Sequence, residues 1–293
     1  MKKKKQRLIK EQAQEWLKSI KSRVEKSSYS TYQYIVIRHI LPNLGECNVD
    51  DVEENQRLMR EKLQGYSKAT ISGVLIVLNQ IVKLSDLPEP KKENDDTEKK
   101  MEILPNDQFQ MFFDEVKRDI DPTKLGVLCV IYTGMKVGEL CSLRWKNIDL
   151  INCKIKVNKT VQRIGDSNEV GKTILEEKEI PVRYIPIPTN LLRILLTHQG
   201  RINDFVLTGT SKQIEPKTAQ NRLVALCRKI GLCTSISYTK LRDYFAVNAV
   251  ANGVNVAVVA DILGLECYAM LKYVKAAKKM LDMDNEIDKL NHI

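Results

Sequence analysis

Two stretches of the 293-residue chain are the most informative about its fold: YTGMKVGELCSLRWKNID at residues 132–149 and SYTKLRDYFA at residues 237–246. Three shorter pieces follow the second stretch, and they read NGV at 252–254, ILG at 262–264 and KYV at 272–274. Apolar residues recur at helical spacing through this part of the chain, and glycines interrupt them. The pattern predicts a mainly helical second half.

Working outward from these stretches, the second half alternates between short helices and a few strands. Periodicity predicts three helices, three strands and then further helices from about residue 217 to the C-terminus. The helices span about 106–118, 124–132 and 137–143, and the strands span 154–158, 161–164 and 183–187. No internal repeat is visible, and the prediction is a mainly α domain with a small antiparallel β-sheet.

The first part of the chain predicts a small unit of four helices. Apolar residues at helical spacing place these helices at about 8–24, 28–40, 52–63 and 68–84. Pro42 and Gly45 are expected to close the second helix, and Ser67 is expected to cap the fourth.

Residues 85–100, SDLPEPKKENDDTEKK, separate the two parts. This stretch has two prolines and almost no apolar side chains, so it cannot contribute to a core. We therefore predict a helical first domain at 1–90, a linker at 91–101 and a second domain at 102–293.

Composition restricts the partner and the compartment. The formal net charge of +10 favours a polyanion, and DNA, RNA, a ribosome or a membrane surface would each fit it. Seven cysteines without a C-x-x-C pair predict a reducing, cytoplasmic location. No apolar run has the length of a membrane span, and the three histidines, His39, His198 and His292, lack the spacing of a metal site.

The two long stretches and the three short ones resemble the active-site motifs of the tyrosine recombinase (phage integrase) family. That family reads approximately T-G-x-R-x-x-E-x-x-x-L-x-W-x-D-I, then H-x-L-R-H-T-F, N-G, L-G-H and Y. The resemblance covers nearly the whole chain, because the helical first part also looks like the family's core-binding (SAM-like) domain. It implies a two-domain clamp that grips duplex DNA.

The resemblance also implies a chemistry. In the family a tyrosine attacks a DNA phosphodiester to form a 3′-phosphotyrosine, two arginines and a histidine stabilise the phosphate, and a hairpin lysine protonates the leaving oxygen. Fixed donors around the phosphate supply most of the stabilisation, and a guanidinium can engage two oxygens at once. The matching positions here are Tyr273 for the nucleophile, Arg242 for the second arginine and Lys178 for the lysine, with Lys172 as the alternative lysine.

Three positions depart from the family pattern. Lys136 stands in place of the first arginine, Thr239 in place of the histidine before Arg242, and Leu265 in place of the histidine after Leu-Gly. Lys136 keeps the charge without the fork, Thr239 retains one donor and Leu265 has none.

Several positions stay open. Asp243 occupies a further site that is often histidine in the family, and Tyr273 follows Leu265 by one residue fewer than is usual. Tyr268 is therefore a second candidate nucleophile. Lys136 could also cap the helix that precedes it, and Lys178 could simply lie on the surface of the hairpin.

Two functions follow from the resemblance. The first is a site-specific recombinase or integrase whose activity is weakened; the alternative is an inactive relative that binds DNA as a regulator or accessory protein. A basic helical RNA-binding protein would explain the charge but not the motifs. We expect double-stranded DNA as partner, self-assembly into a dimer or tetramer on DNA through a C-terminal helix near 276–290, and no cofactor, metal or membrane.

Overall fold

The computed structural model describes residues 7–83, 106–165, 173–232 and 236–280. These residues belong to two compact units, which we describe one at a time. The predicted linker at 91–101, and the part of the predicted C-terminal helix beyond residue 280, lie outside the described residues. Within the described part of the chain, no helix is both long and apolar enough to cross a membrane.

The first unit is helical, as its periodicity predicts. Its helices are α1 Ile9–Ile20, α2 Lys26–Ile35, α3 Leu41–Leu44, α4 Val52–Lys62 and α5 Lys68–Lys83. Their apolar faces meet in one core, in which Trp16 of α1, Met59 of α4 and Leu78 of α5 are buried. The predicted cap of α5 is confirmed, because the Ser67 hydroxyl accepts a hydrogen bond of 3.1 Å from the Thr70 N–H.

The second predicted helix does not end before Pro42. A π-helical turn, Val36–Ile40, joins α2 directly to α3, and the chain stays helical as far as Leu44. The Leu41 N–H bonds back to the Val36 carbonyl, five residues earlier. Pro42 then lies in the first turn of α3, where its missing N–H removes one hydrogen bond from a helix that continues through the π-helical turn.

The second unit combines eight helices with most of one small sheet in its described part. The helices are α6 Asn106–Val116, α7 Pro122–Thr133, α8 Val137–Ser142, α9 Thr189–Thr197, α10 Pro216–Lys229, α11 Tyr238–Ala251, α12 Val256–Leu263 and α13 Leu271–Ala277. The strands are β1 Ile148–Asp149, β2 Lys154–Gly165 and β3 Thr173–Pro186, in the order β1-β2-β3. The predicted fold class, mainly α with a small antiparallel sheet, is confirmed.

The hairpin of β2 and β3 is longer than the sequence pattern predicts. The segments expected at 154–158 and 161–164 form one strand, and β3 begins ten residues before its predicted start at 183. Opposite polar side chains pair across the hairpin: the Lys159 Nζ lies 2.6 Å from the Glu177 Oε1, and the Gln162 amide lies 3.3 Å from the Glu176 Oε2. Cross-strand pairs of this kind extend a strand where apolar alternation is lacking.

The centre of the second unit is α7. Asp121 caps its start by accepting a 2.8 Å hydrogen bond from the Lys124 N–H, and most of the helix is buried. Helix α11 packs against α7 on one side and against α13 on the other. The end of α7, the first half of α11 and the end of α12 therefore come together, and the site lies where they meet.

Candidate active site

Arg242 is the centre of the site. It lies on α11 and is only 7% exposed. Its guanidinium donates one hydrogen bond of 2.6 Å to the Gly134 carbonyl and another of 2.8 Å to the Leu263 carbonyl. Burial lowers the pKa of Arg242, and the negative charge of Glu139 opposes that shift. One cation thus joins the ends of α7 and α12.

Gly134 makes this close approach feasible. It ends α7 in the left-handed conformation with φ of 64°, which favours glycine. A Cβ at this position would collide with the Phe245 ring and would lie 2.6 Å from a Leu263 methyl carbon. The T-G of the first motif therefore has a structural explanation: the glycine exposes its carbonyl to Arg242 while helices α11 and α12 pack against it.

Glu139 and Arg183 form a second buried pair beside Arg242. Two nitrogens of the Arg183 guanidinium donate to the two Glu139 carboxylate oxygens at 2.9 and 2.7 Å, and its Nε donates to the Ile262 carbonyl at 3.0 Å. Glu139 also accepts a 2.8 Å hydrogen bond from the Lys136 N–H. The pair joins α8, β3 and α12, and this bidentate geometry fixes the orientation of both side chains.

Tyr273 lies in α13 with 2% of its surface exposed. Its hydroxyl donates a 2.8 Å hydrogen bond to the Asp243 Oδ1. Burial raises the pKa of Tyr273, the hydrogen bond and charge of Asp243 raise it further, and the charge of Arg242 opposes both effects. Tyr273 is therefore held as a neutral phenol between a carboxylate and a guanidinium.

Lys272 adds a second positive charge at the Tyr273–Asp243 pair. Its Nζ lies 4.5 Å from the centroid of the Tyr273 ring and 3.9 Å from the Asp243 Oδ1. Lys272 is exposed, so both contacts are screened by solvent.

The three substituted positions lie at the margins of this cluster. Lys136 is exposed and begins α8, whereas α7 ends at Gly134, so Lys136 does not end the helix that precedes it. Thr239 is exposed in the first turn of α11. Leu265 is half-buried and packs against the apolar cluster formed by α11, α12 and α13. Tyr268, the other candidate nucleophile, is 83% exposed.

Lys178 of β3 and Lys159 of β2 lie on opposite faces of the hairpin. Glu177 and Arg183 are six residues apart and share one face of β3, so Lys178 lies on the other face. Lys159 of β2, paired with Glu177, is on the same face as Arg183, and its carbonyl accepts a 2.8 Å hydrogen bond from the Ser142 hydroxyl of α8. Lys172 lies outside the described residues.

The glutamate of the first motif matches Glu139 without giving it a role, and the motifs identify neither Arg183 nor the role of Asp243. Glu139 follows Lys136 by three residues, the spacing of a capping box, and this spacing could have indicated its bond to the Lys136 N–H. Arg183 lies two residues before the buried Ile185 in a strand, and a charged side chain on a buried face needs a partner. The contact between Asp243 and Tyr273 spans 30 residues, and no local pattern predicts it.

Taken together, the second unit is a helical domain with one long hairpin, in which a tyrosine hydroxyl and a buried arginine are brought together. This combination defines the class of integrase-type domains. The chain belongs to the phage integrase family, whose model matches residues 102–280. The phage integrase N-terminal SAM-like domain matches residues 8–57. The resemblance drawn from the motifs is confirmed.

Relatives with curated names are distant. IntQ of Escherichia coli strain K12, named as a defective protein, is 28% identical over 194 residues, which cover 56% of this chain and 46% of that protein. A tyrosine recombinase of Thermosipho africanus is 25% identical over 143 residues, or 48% of this chain and 44% of that protein. XerA of Pyrococcus furiosus is 24% identical over 217 residues, or 71% and 69%. The chain thus spans about half the length of the first two relatives.

Solved structures of integrases share the fold. The Tn1549 transposon integrase in complex with transposon right-end DNA aligns with a TM-score of 0.68 at 18% identity, covering 91% of this chain and 94% of that one. A λ integrase tetramer bound to a Holliday junction aligns with a TM-score of 0.61 at 13% identity, covering 91% and 78%. At such identities the likeness concerns the fold alone.

Proposed function

We propose that this protein binds duplex DNA and exchanges DNA strands through a 3′-phosphotyrosine, with Tyr273 as the nucleophile. The observation that carries the proposal is the position of the Tyr273 hydroxyl, hydrogen-bonded to Asp243 and next to the buried Arg242 guanidinium. A nucleophile beside a fixed cation is what attack on a phosphodiester requires, because negative charge grows on the phosphate oxygens during the reaction.

The proposed reaction is a transesterification. The Tyr273 oxygen attacks phosphorus, the bond to the 5′ oxygen breaks, and the freed 5′-hydroxyl of one strand later attacks the phosphotyrosine of another. One ester replaces another at each step, so no external energy source is needed. Arg242 supplies positive charge close to the phosphate, and Lys136, exposed immediately before α8, supplies a second positive charge.

DNA as the partner is supported by charge and by the family. The net charge of +10 suits a polyanion, and several solved relatives, including the Tn1549 and λ integrases, are complexes with DNA. We also propose that this chain assembles into dimers or tetramers on DNA and acts in the cytoplasm. Sedimentation with and without a DNA duplex measures the first of these directly.

The leaving 5′ oxygen needs a proton, and two lysines are candidates. Lys178 has the sequence position that the family resemblance implies, whereas Lys159 lies on the face of the hairpin that also carries Arg183. A substrate with sulfur in place of the leaving 5′ oxygen distinguishes the roles of the two lysines, because a thiolate leaves without protonation. The lysine whose alanine variant is slow on the oxygen substrate and normal on the sulfur substrate is the proton donor.

Covalent capture tests the proposed function on any DNA that contains the attachment site, whatever its sequence. The protein is incubated with sheared genomic DNA from its source, denatured with detergent, and the DNA that stays attached to protein is sequenced. We expect enriched attachment sites with the wild-type chain and none with Tyr273→Phe. Tyr268→Phe is the matched control and should leave adducts unchanged, because Tyr268 is exposed and five residues earlier in the chain.

The alternative function, a DNA-binding relative without strand cleavage, also rests on a specific observation. Three family donors are replaced at Lys136, Thr239 and Leu265, and loss of one such donor typically slows a reaction by roughly 10²–10³-fold. If the wild-type protein protects discrete genomic sites but forms no adduct there, the binding-only function is correct and strand exchange is excluded.

A further inference from the structure

The contact between Tyr273 and Asp243 assigns a role that the motifs do not contain. We propose that Asp243 is the proton acceptor for Tyr273, taking the phenol proton as the tyrosine oxygen attacks phosphorus. This inference rests on the proposed strand-exchange function. Its basis is the 2.8 Å hydrogen bond from the Tyr273 hydroxyl to the Asp243 Oδ1, which already points the proton at the carboxylate.

A carboxylate is chemically suited to this task. Protein kinases use an aspartate in the same way, to accept the proton of a hydroxyl that attacks a phosphoryl group. A general base must lie within hydrogen-bond reach of the proton it removes, and Asp243 does so. Neither Thr239 nor Leu265 can act as a base, because a hydroxyl is too weak a proton acceptor and an alkyl group accepts none.

The surrounding charges make the transfer feasible. Around the Tyr273–Asp243 pair lie Arg242 on α11 and Lys272 on α13, and Glu139 and Arg183 lie beyond Arg242 and neutralise each other. Burial and the Asp243 carboxylate raise the pKa of Tyr273, so the phenol stays protonated until attack begins. The proton must then leave during bond formation, and Asp243 is the group that faces it.

The step balances as follows. The bond from the Tyr273 oxygen to phosphorus forms, the bond from phosphorus to the 5′ oxygen breaks, and the phenol proton moves to the Asp243 Oδ1. The departing 5′ oxygen takes a proton from a lysine of the hairpin or from water. In the second half of the reaction the 5′-hydroxyl attacks phosphorus and gives its proton back to that lysine or to water. The bond from phosphorus to the tyrosine oxygen breaks, and protonated Asp243 returns its proton to that oxygen. Asp243 therefore ends in its starting state.

The test compares Asp243→Asn with wild type in the rate of covalent adduct formation, using a duplex that carries an attachment site recovered from genomic DNA. Asparagine has the same shape and still accepts the hydrogen bond, but it cannot take the proton. We expect adduct formation to slow by roughly 10²–10⁴-fold near neutral pH, with DNA binding unchanged. The variant's rate should rise about tenfold per pH unit, because hydroxide replaces the lost base, whereas the wild-type rate should be nearly flat.

Two further variants complete the design. Asp261→Asn is the matched control, because Asp261 is an exposed carboxylate on α12, and its rate should equal that of wild type. Asp243→Ala removes the side chain, and added formate should restore its rate in proportion to formate concentration. Rescue by a small carboxylate reports proton transfer and would not follow from a merely structural role.

The outcomes are distinct. The inference is overturned if Asp243→Asn reacts as fast as wild type with the same pH profile. It is also overturned if formate does not restore the rate of Asp243→Ala. A faster Asp243→Asn variant also overturns it, and would mean that Asp243 restrains the nucleophile. If the wild-type protein itself forms no adduct, the proposed strand exchange fails instead, and that result is visible before any variant is made.

Discussion

Replacing Arg183 with methionine should destabilise the second unit severely. The substitution keeps a long apolar side chain but removes three hydrogen bonds, two to the Glu139 carboxylate and one to the Ile262 carbonyl. Glu139 retains its hydrogen bond from the Lys136 N–H and loses its counter-charge. The variant therefore leaves a carboxylate that is 2% exposed without its hydrogen-bonded cation, and Arg242 is the buried positive charge that remains nearby.

The expected loss follows from this burial. Removing one member of a buried ion pair typically costs roughly 3–5 kcal/mol, because the remaining charge is neither solvated nor neutralised. The Arg183 side chain is 15% exposed, so water can partly reach the site, and we expect a value near the lower limit, about 3 kcal/mol. A loss of about 3 kcal/mol is a large fraction of the free energy of unfolding of a typical protein, which is about 5–15 kcal/mol.

Urea denaturation measures the effect, and the midpoint should fall by roughly 1–2 M for a protein of ordinary cooperativity. Arg193→Met is the matched control: Arg193 is exposed on α9, and its replacement should change the free energy of unfolding by less than about 0.5 kcal/mol. The double variant Arg183→Met with Glu139→Gln should lose less than the sum of the two single variants, because it removes both members of the ion pair.

A loss below about 1 kcal/mol for Arg183→Met would refute this reasoning, since it would mean that the Glu139 carboxylate is solvated or finds another cation. A double variant whose loss equals the sum of the single losses would show that the two side chains act independently. Either result would mean that the Glu139–Arg183 pair does not hold α8, β3 and α12 together.

Three further predictions concern activity, packing and binding. Lys136→Arg, Thr239→His and Leu265→His together should raise adduct formation, because each restores a donor that the family has, and Lys136→Arg should contribute most since it recreates a bidentate fork; equal rates before and after repair would contradict this. Gly134→Ala should lower the free energy of unfolding by roughly 2 kcal/mol or more, because it combines strain in the left-handed conformation with overpacking. Gly73→Ala is the control: Gly73 lies inside α5 with open space around it, so this change should be neutral or stabilising. Affinity for a mixed-sequence duplex should fall with salt at a log–log slope near −7 if about eight phosphates are contacted, and a flat response would exclude DNA as the main partner.

The fold was largely predictable because helical periodicity dominates this sequence. Most helices of both units and the cap at Ser67 follow from spacing and capping chemistry, whereas α9, Thr189–Thr197, was not predicted. The errors came where polar contacts replace apolar ones. The long hairpin is built on pairs such as Lys159 with Glu177, which look like surface charge in the sequence, and the π-helical turn before Pro42 leaves no signature in residue spacing.

The site was predictable only where a motif names its residues. Arg242 and Tyr273 were identified by resemblance, and the fold brings them together. The partners of these residues were not, because the contacts are distant in sequence: Arg183 is 44 residues from Glu139, and Asp243 is 30 residues from Tyr273. Local patterns carry no information about such pairings, and only the packing of helix ends decides them.

The energetics of the buried cluster bear on the choice between strand exchange and binding alone. A chain that only binds DNA needs basic residues on its surface, and phenylalanine at position 273 would pack in the same apolar cluster without a hydroxyl to satisfy. Instead the fold keeps the Tyr273 hydroxyl on Asp243 and beside Arg242, a buried guanidinium, and both charged side chains are costly to desolvate. Charged groups that perturb one another's pKa around a single hydroxyl are typical of reaction sites. The three departures lie at the margins, where replacement costs the fold little, and for these reasons we propose a weakened recombinase rather than a protein that has lost the reaction.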